Sequence, residues 1–219
     1  MLKSVTAGCE ELPAGYDLPR HRHLESYAIV VLHGSFEQVS YSGRVRVRAG
    51  DLLLQPRLDC HANRTSGARI VRLPWRVDGL GGVYRLDDLD AVARAAERDL
   101  GEALVAAGAH QPARRARSDD WPDELAAAIV RREVDRLGEW AEQHGLARET
   151  VARGFGQAYG VSARRFRAEL RARDAWLRLV EGHEPLAEIA AATGFADQPH
   201  MSRWIRSLTG RSPAAWRLQ

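Results

Sequence analysis

The chain has 219 residues, 45% of them hydrophobic, and a formal net charge of +3, enough for one large core or two small ones. Cys9 and Cys60 are its only cysteines, which excludes a disulfide framework or a Cys-rich zinc module and fits a reducing cytoplasm. No apolar run approaches the roughly 18 residues of a membrane span and no signal-peptide pattern opens the chain, so a membrane role is excluded.

Residues from about 16 to 76 read as β structure. An apolar, β-branched run at 27–32 meets a turn at Gly34-Ser35 and continues at 36–41. Ser42-Gly43 then leads into the alternating Arg44-Val45-Arg46-Val47-Arg48, which should bury its valines and expose its arginines. Short strands follow at 52–54 and 68–75. Strands this short, with turn signals every eight to twelve residues or so, suggest a small barrel or sandwich.

Helical periodicity begins near Asp87. Leu86, Leu89, Ala93, Ala96, Leu100, Ala103 and Ala107 alternate in steps of three and four, a stripe that either packs on the β domain or forms a helix–helix dimer seam. The seam is the preferred reading. Residues 109–118 (AHQPARRARS) are polar and Pro-containing, as a linker is. Asp119-Asp120 then offers an N-cap to a helix over residues 122–137.

The last third is written twice. At an offset of fifty residues, Val151 matches Met201, Arg153 matches Arg203, Gly160 matches Gly210 and Ser162 matches Ser212. Upstream the offset is forty-nine, pairing Leu137 with Leu186, Ala141 with Ala190 and Gly145 with Gly194. A one-residue slip between matched blocks is what a length change in one turn produces. Each copy reads as a helix, a glycine turn and a second helix, hence a helix-turn-helix. Two such units about one DNA turn apart (~34 Å) suit successive major-groove faces. Charge agrees: residues 148–219 hold 12 Arg against 7 acids, whereas 119–147 hold 3 Arg against 8 acids. In the second copy Met201, Ile205 and Leu208 face the core. Gln198, Pro199, Ser202 and Arg203 fall on the solvent side, where Arg203 suits guanine and Gln198 adenine.

Residues 189–217, IAAATGFADQPHMSRWIRSLTGRSPAAWR, closely resemble the C-terminal signature of the AraC/XylS family of bacterial transcription regulators. Met201 and Ile205 stand where that signature prefers aromatics. The first copy resembles the family's other helix-turn-helix, through Arg153, Phe155, Gly160, Val161 and Ser162, and residues 164–180 its connecting helix. The resemblance implies DNA contacts from Arg148, Glu149, Ala152 and Arg153 in the first copy, and from Gln198, Pro199, Ser202, Arg203 and Arg206 in the second. Ala147 replaces a capping Ser, Ala152 cannot hydrogen-bond a base, and Gly154 and Gly156 weaken the first recognition helix, which is expected to order on DNA.

His21-Arg22-His23 and Gly34, then Gly50, Pro56 and His61, resemble the two motifs of the cupin superfamily, with Glu25 two residues before the family's Glu position and Tyr27 near it. If residues 21–27 are one strand, His21, His23, Glu25 and Tyr27 share a face. With His61 they would form a ligand-binding pocket, and His21, His23 and His61 the ligands of a divalent metal, the one cofactor suggested. Sensor cupins of the AraC family are often metal-free, their histidines bonding a small ligand or one another.

The fold class that follows is a two-domain α+β protein. A small cupin-like β-barrel sensor (1–85) leads through a dimerisation helix (86–108) and a linker (109–118) to an all-α tandem helix-turn-helix domain (119–219). The expected function is a sequence-specific, effector-responsive transcription regulator, cytoplasmic and not an enzyme. Its partners would be double-stranded DNA, a small-molecule effector, a second copy of the chain and RNA polymerase. The alternatives are a metal-dependent cupin enzyme carrying a DNA-binding domain, whose carboxylate ligand is misplaced here, and an architectural DNA protein without sequence preference.

Overall fold

A computed structural model of the protein describes residues 1–77, 79–108, 110–112 and 120–218. It divides into two compact units, Lys3–Asp123 and Glu124–Gln219. No helix among the described residues is long and apolar enough to cross a membrane.

The first unit is built on a seven-stranded antiparallel sheet of β1 (Gly8–His21), β2 (Tyr27–Ser40), β3 (Gly43–Arg48), β4 (Asp51–Gln55), β5 (His61–Pro74), β6 (Gly82–Leu86) and β7 (His110–Pro112). The order is β1-β5-β2-β4-β6-β7, with β3 paired to the far half of β2. The expected turn at Gly34 is instead a bulge within one long strand. Register against β5 shifts on both sides of Gly34, which takes φ +73°, and a Cβ there would lie 1.9 Å from the Gly67 carbonyl oxygen. Only glycine fits so close a backbone crossing at positive φ. The expected linker is also revised in part: His110–Pro112 pairs with β6, while residues 109 and 113–118 lie outside the described residues.

Strand alternation gives the sheet two apolar faces. Ala28 and Val30 join Leu52, Val71 and Leu73 on one side; Tyr27, Ile29 and Val31 join Phe36, Val47, Leu53 and Ile70 on the other. The first face is covered by α1 (Leu89–Ala96) and α2 (Leu100–Ala107). Here the single dimerisation helix expected over 86–108 is corrected. Leu86 ends β6, and the helix breaks before Asp99, whose carboxylate accepts from the backbone N–H groups of Gly101 and Glu102 and starts α2. Ala103 and Ala107 are fully buried in this core, and Leu89, Ala96 and Leu100 pack on it. The stripe closes the sheet of its own domain.

The second unit is helical: α3 (Trp121–Val130), α4 (Leu137–Gln143), α5 (Arg148–Tyr159), α6 (Ala163–Glu181), α7 (Leu186–Ala192), α8 (Gln198–Thr209) and α9 (Pro213–Arg217). The helix expected over 122–137 stops early, where Arg132 takes φ +61° and the Glu133 N–H donates to the Ala128 carbonyl. At the centre lies α6, packed against α5, α7, α8 and α9. Its buried side chains include Phe166, Leu170, Trp176 and Leu179. Phe166 meets the stacked rings of Phe155 and Tyr159 edge-on.

Candidate DNA interface and effector pocket

The sequence repeat is a structural repeat down to single hydrogen bonds. In the first copy the Leu146 N–H donates to the Ala141 carbonyl at 2.9 Å, and Gly145 takes φ +64°; in the second, Phe195 donates to Ala190 at 2.9 Å and Gly194 takes φ +76°. Gly160 and Gly210 end α5 and α8 in the left-handed conformation. Ser162 and Ser212 cap α6 and α9 by accepting from Arg165 and Ala215. The one-residue slip falls in the turn: Leu146 is followed directly by the N-cap Ala147, whereas Ala196 separates Phe195 from the N-cap Asp197. Asp197 accepts from the His200 N–H at 2.6 Å, while Ala147 offers no side-chain cap. Even so, α5 is a continuous twelve-residue helix. Its buried Val151, Phe155 and Tyr159 supply the packing that offsets two interior glycines.

Both second helices keep one face in the core and one in solvent. Met201, Ile205 and Leu208 are buried on α8. Gln198, Pro199, Arg203 and Arg206 are exposed, and Ser202 half-buried. On α5, Arg148, Glu149, Ala152 and Arg153 are all exposed. Arg148 is engaged by Glu142 at 3.2 Å, but Arg153 and Arg203, the matched pair, have no hydrogen-bond or ionic partner among the described residues. His200 is held within its own unit: its Nε2 accepts from Trp204 Nε1 at 3.1 Å, and its ring meets Phe195 edge-on.

In the sheet unit, His21 and His61 sit directly opposite each other in the β1–β5 ladder, which puts them on one face. His23 follows just past the end of β1. The three rings cluster with centroid separations of 4.2–5.5 Å, and one ligand nitrogen from each lies within 4.8 Å of the others. Every Nδ1 is spoken for by a backbone carbonyl: His21 by Pro19 at 2.9 Å, His23 by Lys3 at 2.8 Å and His61 by Asp59 at 2.9 Å. A carbonyl can only accept, so at His21 and His23 Nδ1 carries the proton and Nε2 keeps its lone pair; at His61 the Gln55 amide nitrogen also lies 3.1 Å from Nδ1 and competes with the shorter carbonyl contact. Burial first, and for His21 and His61 the neighbouring rings as well, disfavours the charged imidazoles. The His21 pKa is pulled down to about 4, His23 is lowered, and His61 falls well below its ordinary value. Three neutral imidazoles, each braced by the carbonyl behind it, are a donor set that could hold a divalent metal.

A cavity of about 460 Å³ opens beside His21 and His23, lined also by Tyr27, Ile29, Asn63 and Arg72. The Asn63 Oδ1 is buried and has no hydrogen-bond partner. Tyr27 stands in the cluster against His23, its phenol kept neutral by burial and by the charge of Asp59. Glu25 does not join. Residues 21–27 are not one strand; the chain bends at Leu24-Glu25, and Glu25 is exposed. Sequence reasoning missed Asn63, the wall formed by residues 3–10, and the Gln38–Gln55–Asp59 network behind His61. The N-terminal wall had no signal of its own, because its role depends on where β1 brings it.

Comparison with known proteins bears on the helical unit. Residues 140–219 match the family described as "Helix-turn-helix domain". Among solved structures, ToxT from Vibrio cholerae with a bound unsaturated fatty acid is 11% identical over 97% of this chain and 94% of its own, with a TM-score of 0.42. The C-terminal domain of AraT, a response regulator from Geobacillus stearothermophilus, is 22% identical over 47% of this chain and 88% of its own, at 0.43. The DNA-binding domain of AdpA in complex with a target DNA is 24% identical over 46% and 92%, at 0.41. A search of curated proteins finds no match. The helical unit is a helix-turn-helix DNA-binding domain. Its duplicated turns match the repeat in the sequence, and it is joined in one chain to an antiparallel sheet domain.

Proposed function

We propose that the protein is a sequence-specific transcription regulator that responds to a small-molecule effector, works in the cytoplasm and has no catalytic activity. The observation that carries this reading is the matched pair Arg153 and Arg203, exposed and unpartnered at equivalent positions of α5 and α8. Both helices then enter the major groove, with Arg148, Glu149 and Ala152 flanking Arg153, and Gln198, Pro199, Ser202 and Arg206 flanking Arg203. A footprint against random competitor DNA tests it: protection should cover two adjacent groove faces and survive competition.

The effector pocket is the cupin-like cavity beside the histidines, where neutral imidazoles, the unpartnered Asn63 oxygen and the apolar wall supply the mixed lining a small ligand needs. The three clustered imidazoles support a divalent metal there. Metal–nitrogen bonds near 2.1 Å need nitrogen separations of about 3–3.5 Å, so the rings would draw together on binding. Elemental analysis of protein purified without chelator should find about one ion per chain; a metal-free protein that still responds to its effector would leave the pocket and remove the metal. A homodimer would present four recognition helices to DNA and RNA polymerase would be the partner of an activator. Burial of Ala103 and Ala107 in the core supports a dimer surface other than the α1–α2 stripe.

A further inference from the structure

Another cleft lies wholly within the helical unit and holds about 230 Å³. Its walls come from the end of α3, the middle of α6 and the turn after α7, and no residue of α5 or α8 lines it. Three arginines, Arg132, Arg167 and Arg171, face it together with Asp135 and Asp174. Each guanidinium is fixed by backbone oxygen. Arg132 donates to Ala192 at 3.3 Å, Arg167 to Val134 and Asp135 at 3.1 and 3.0 Å, and Arg171 to Gly194 at 2.8 Å. Asp174 takes a second donor of Arg132 at 2.8 Å. The Gly194 carbonyl is the one hydrogen-bond partner of Arg171 among the described residues, and a guanidinium has five N–H donors.

The cluster therefore pre-positions three cations and neutralises them only in part. Three guanidinium charges meet two carboxylates, and the carbonyls that fix the arginines carry no net charge. The strain shows at Arg171, whose protonated form is disfavoured by burial and then by the charges of Arg167 and Arg132, with Asp135 opposing. An anion would relieve that repulsion. The planar, multi-donor geometry of guanidinium suits a tetrahedral oxyanion, and the cleft is sized for a small group.

We propose that the Arg132–Arg167–Arg171 cleft binds a phosphate oxyanion carried by a free small molecule. Because Arg132 and Arg171 hold the Ala192 and Gly194 carbonyls at the turn that launches α8, occupancy bears on how that helix is presented to DNA. This gives the DNA-binding domain an input of its own, separate from the histidine pocket.

The test is calorimetric titration of the full-length protein with inorganic phosphate at constant ionic strength. Saturable one-site binding is expected, weakened at least tenfold in Arg171→Gln and strengthened several-fold in Asp174→Asn, which releases Arg132. The opposite signs keep the test decisive even if one variant folds poorly, which circular dichroism would show. Arg203→Ala and a His21/His23/His61 triple Ala variant should bind phosphate as the wild type does, so failure of the DNA or effector readings would not touch this one. Phosphate should also remain bound when a DNA fragment selected by the protein is added. Displacement by DNA would overturn the free-ligand assignment and give the cleft to a backbone phosphate. Non-saturable heats, or heats unchanged in Arg171→Gln, would overturn the site.

Discussion

Arg153 and Arg203 are equivalent by sequence and by exposure, yet the helices that carry them differ at the N-cap. Asp197 caps α8, and Ala147 leaves the first turn of α5 without a side-chain acceptor. Arg203→Ala should therefore lower affinity by about 1–3 kcal/mol and relax preference at a single base position. Arg153→Ala should cost less. Titrations on selected and random DNA check this, and equal losses on both would make the arginines phosphate anchors. Ala147→Asp should stabilise the helical unit by about 1 kcal/mol, read as a higher urea midpoint; an unchanged midpoint would mean α5 is held by packing alone. The histidines set a pH window. Unfolded imidazoles protonate below about 6.5, whereas folded His21 does so only near 4, so between those values the unfolded state binds more protons. Stability of chelator-treated protein should then fall as pH drops from about 6.5 toward 4. His21→Gln should make the fall shallower, and a melting temperature flat across that range would contradict the buried neutral cluster.

At the scale of elements, the helical half was legible and the sheet half only in outline, for physical reasons that differ. Tandem helix-turn-helix units repeat their constraints locally: a left-handed glycine in each turn, a glycine at each helix end, a serine cap on the next helix. Such signals survive in one dimension. In β1, Leu12 and Leu18 are only half-buried and most neighbours are exposed, so its alternation is faint and the strand was not expected from residue 8. Gly34 looks like a turn locally, and only the close approach of Gly67 makes it a bulge. Glu25 was placed in the pocket by an alternation that a bend cancels. In the second cleft Arg132 is far along the chain from Arg167 and Arg171, and the chain uses Arg almost to the exclusion of Lys, so nothing singled them out. The stripe at 86–107 shows that periodicity predicts a covered face but not what covers it. Its consequence is measurable. Ala103, fully buried under the sheet, should not tolerate Asp: Ala103→Asp ought to destabilise the sensor domain by several kcal/mol through an unpaired buried carboxylate. Val105→Asp, at a position 80% exposed, should stay within about 0.5 kcal/mol of wild type. If Ala103→Asp kept full stability and only dissociated an oligomer, the stripe would be a seam after all.

For the molecule as a whole, the proposed function gives DNA reading to one unit and the histidine-lined pocket to the other, so the two activities should separate by mutation. The His21/His23/His61 triple Ala variant should keep DNA binding and lose the effector response; a normal response would put the sensor elsewhere. The central claim is that α5 and α8 both read sequence, and a genome-wide footprint of the full-length protein tests it most directly. The account predicts protected sites sharing two base motifs about 10 base pairs apart, one weakened by Arg153→Ala and the other by Arg203→Ala. Protection spread without a common motif, or a single motif indifferent to both substitutions, would contradict it.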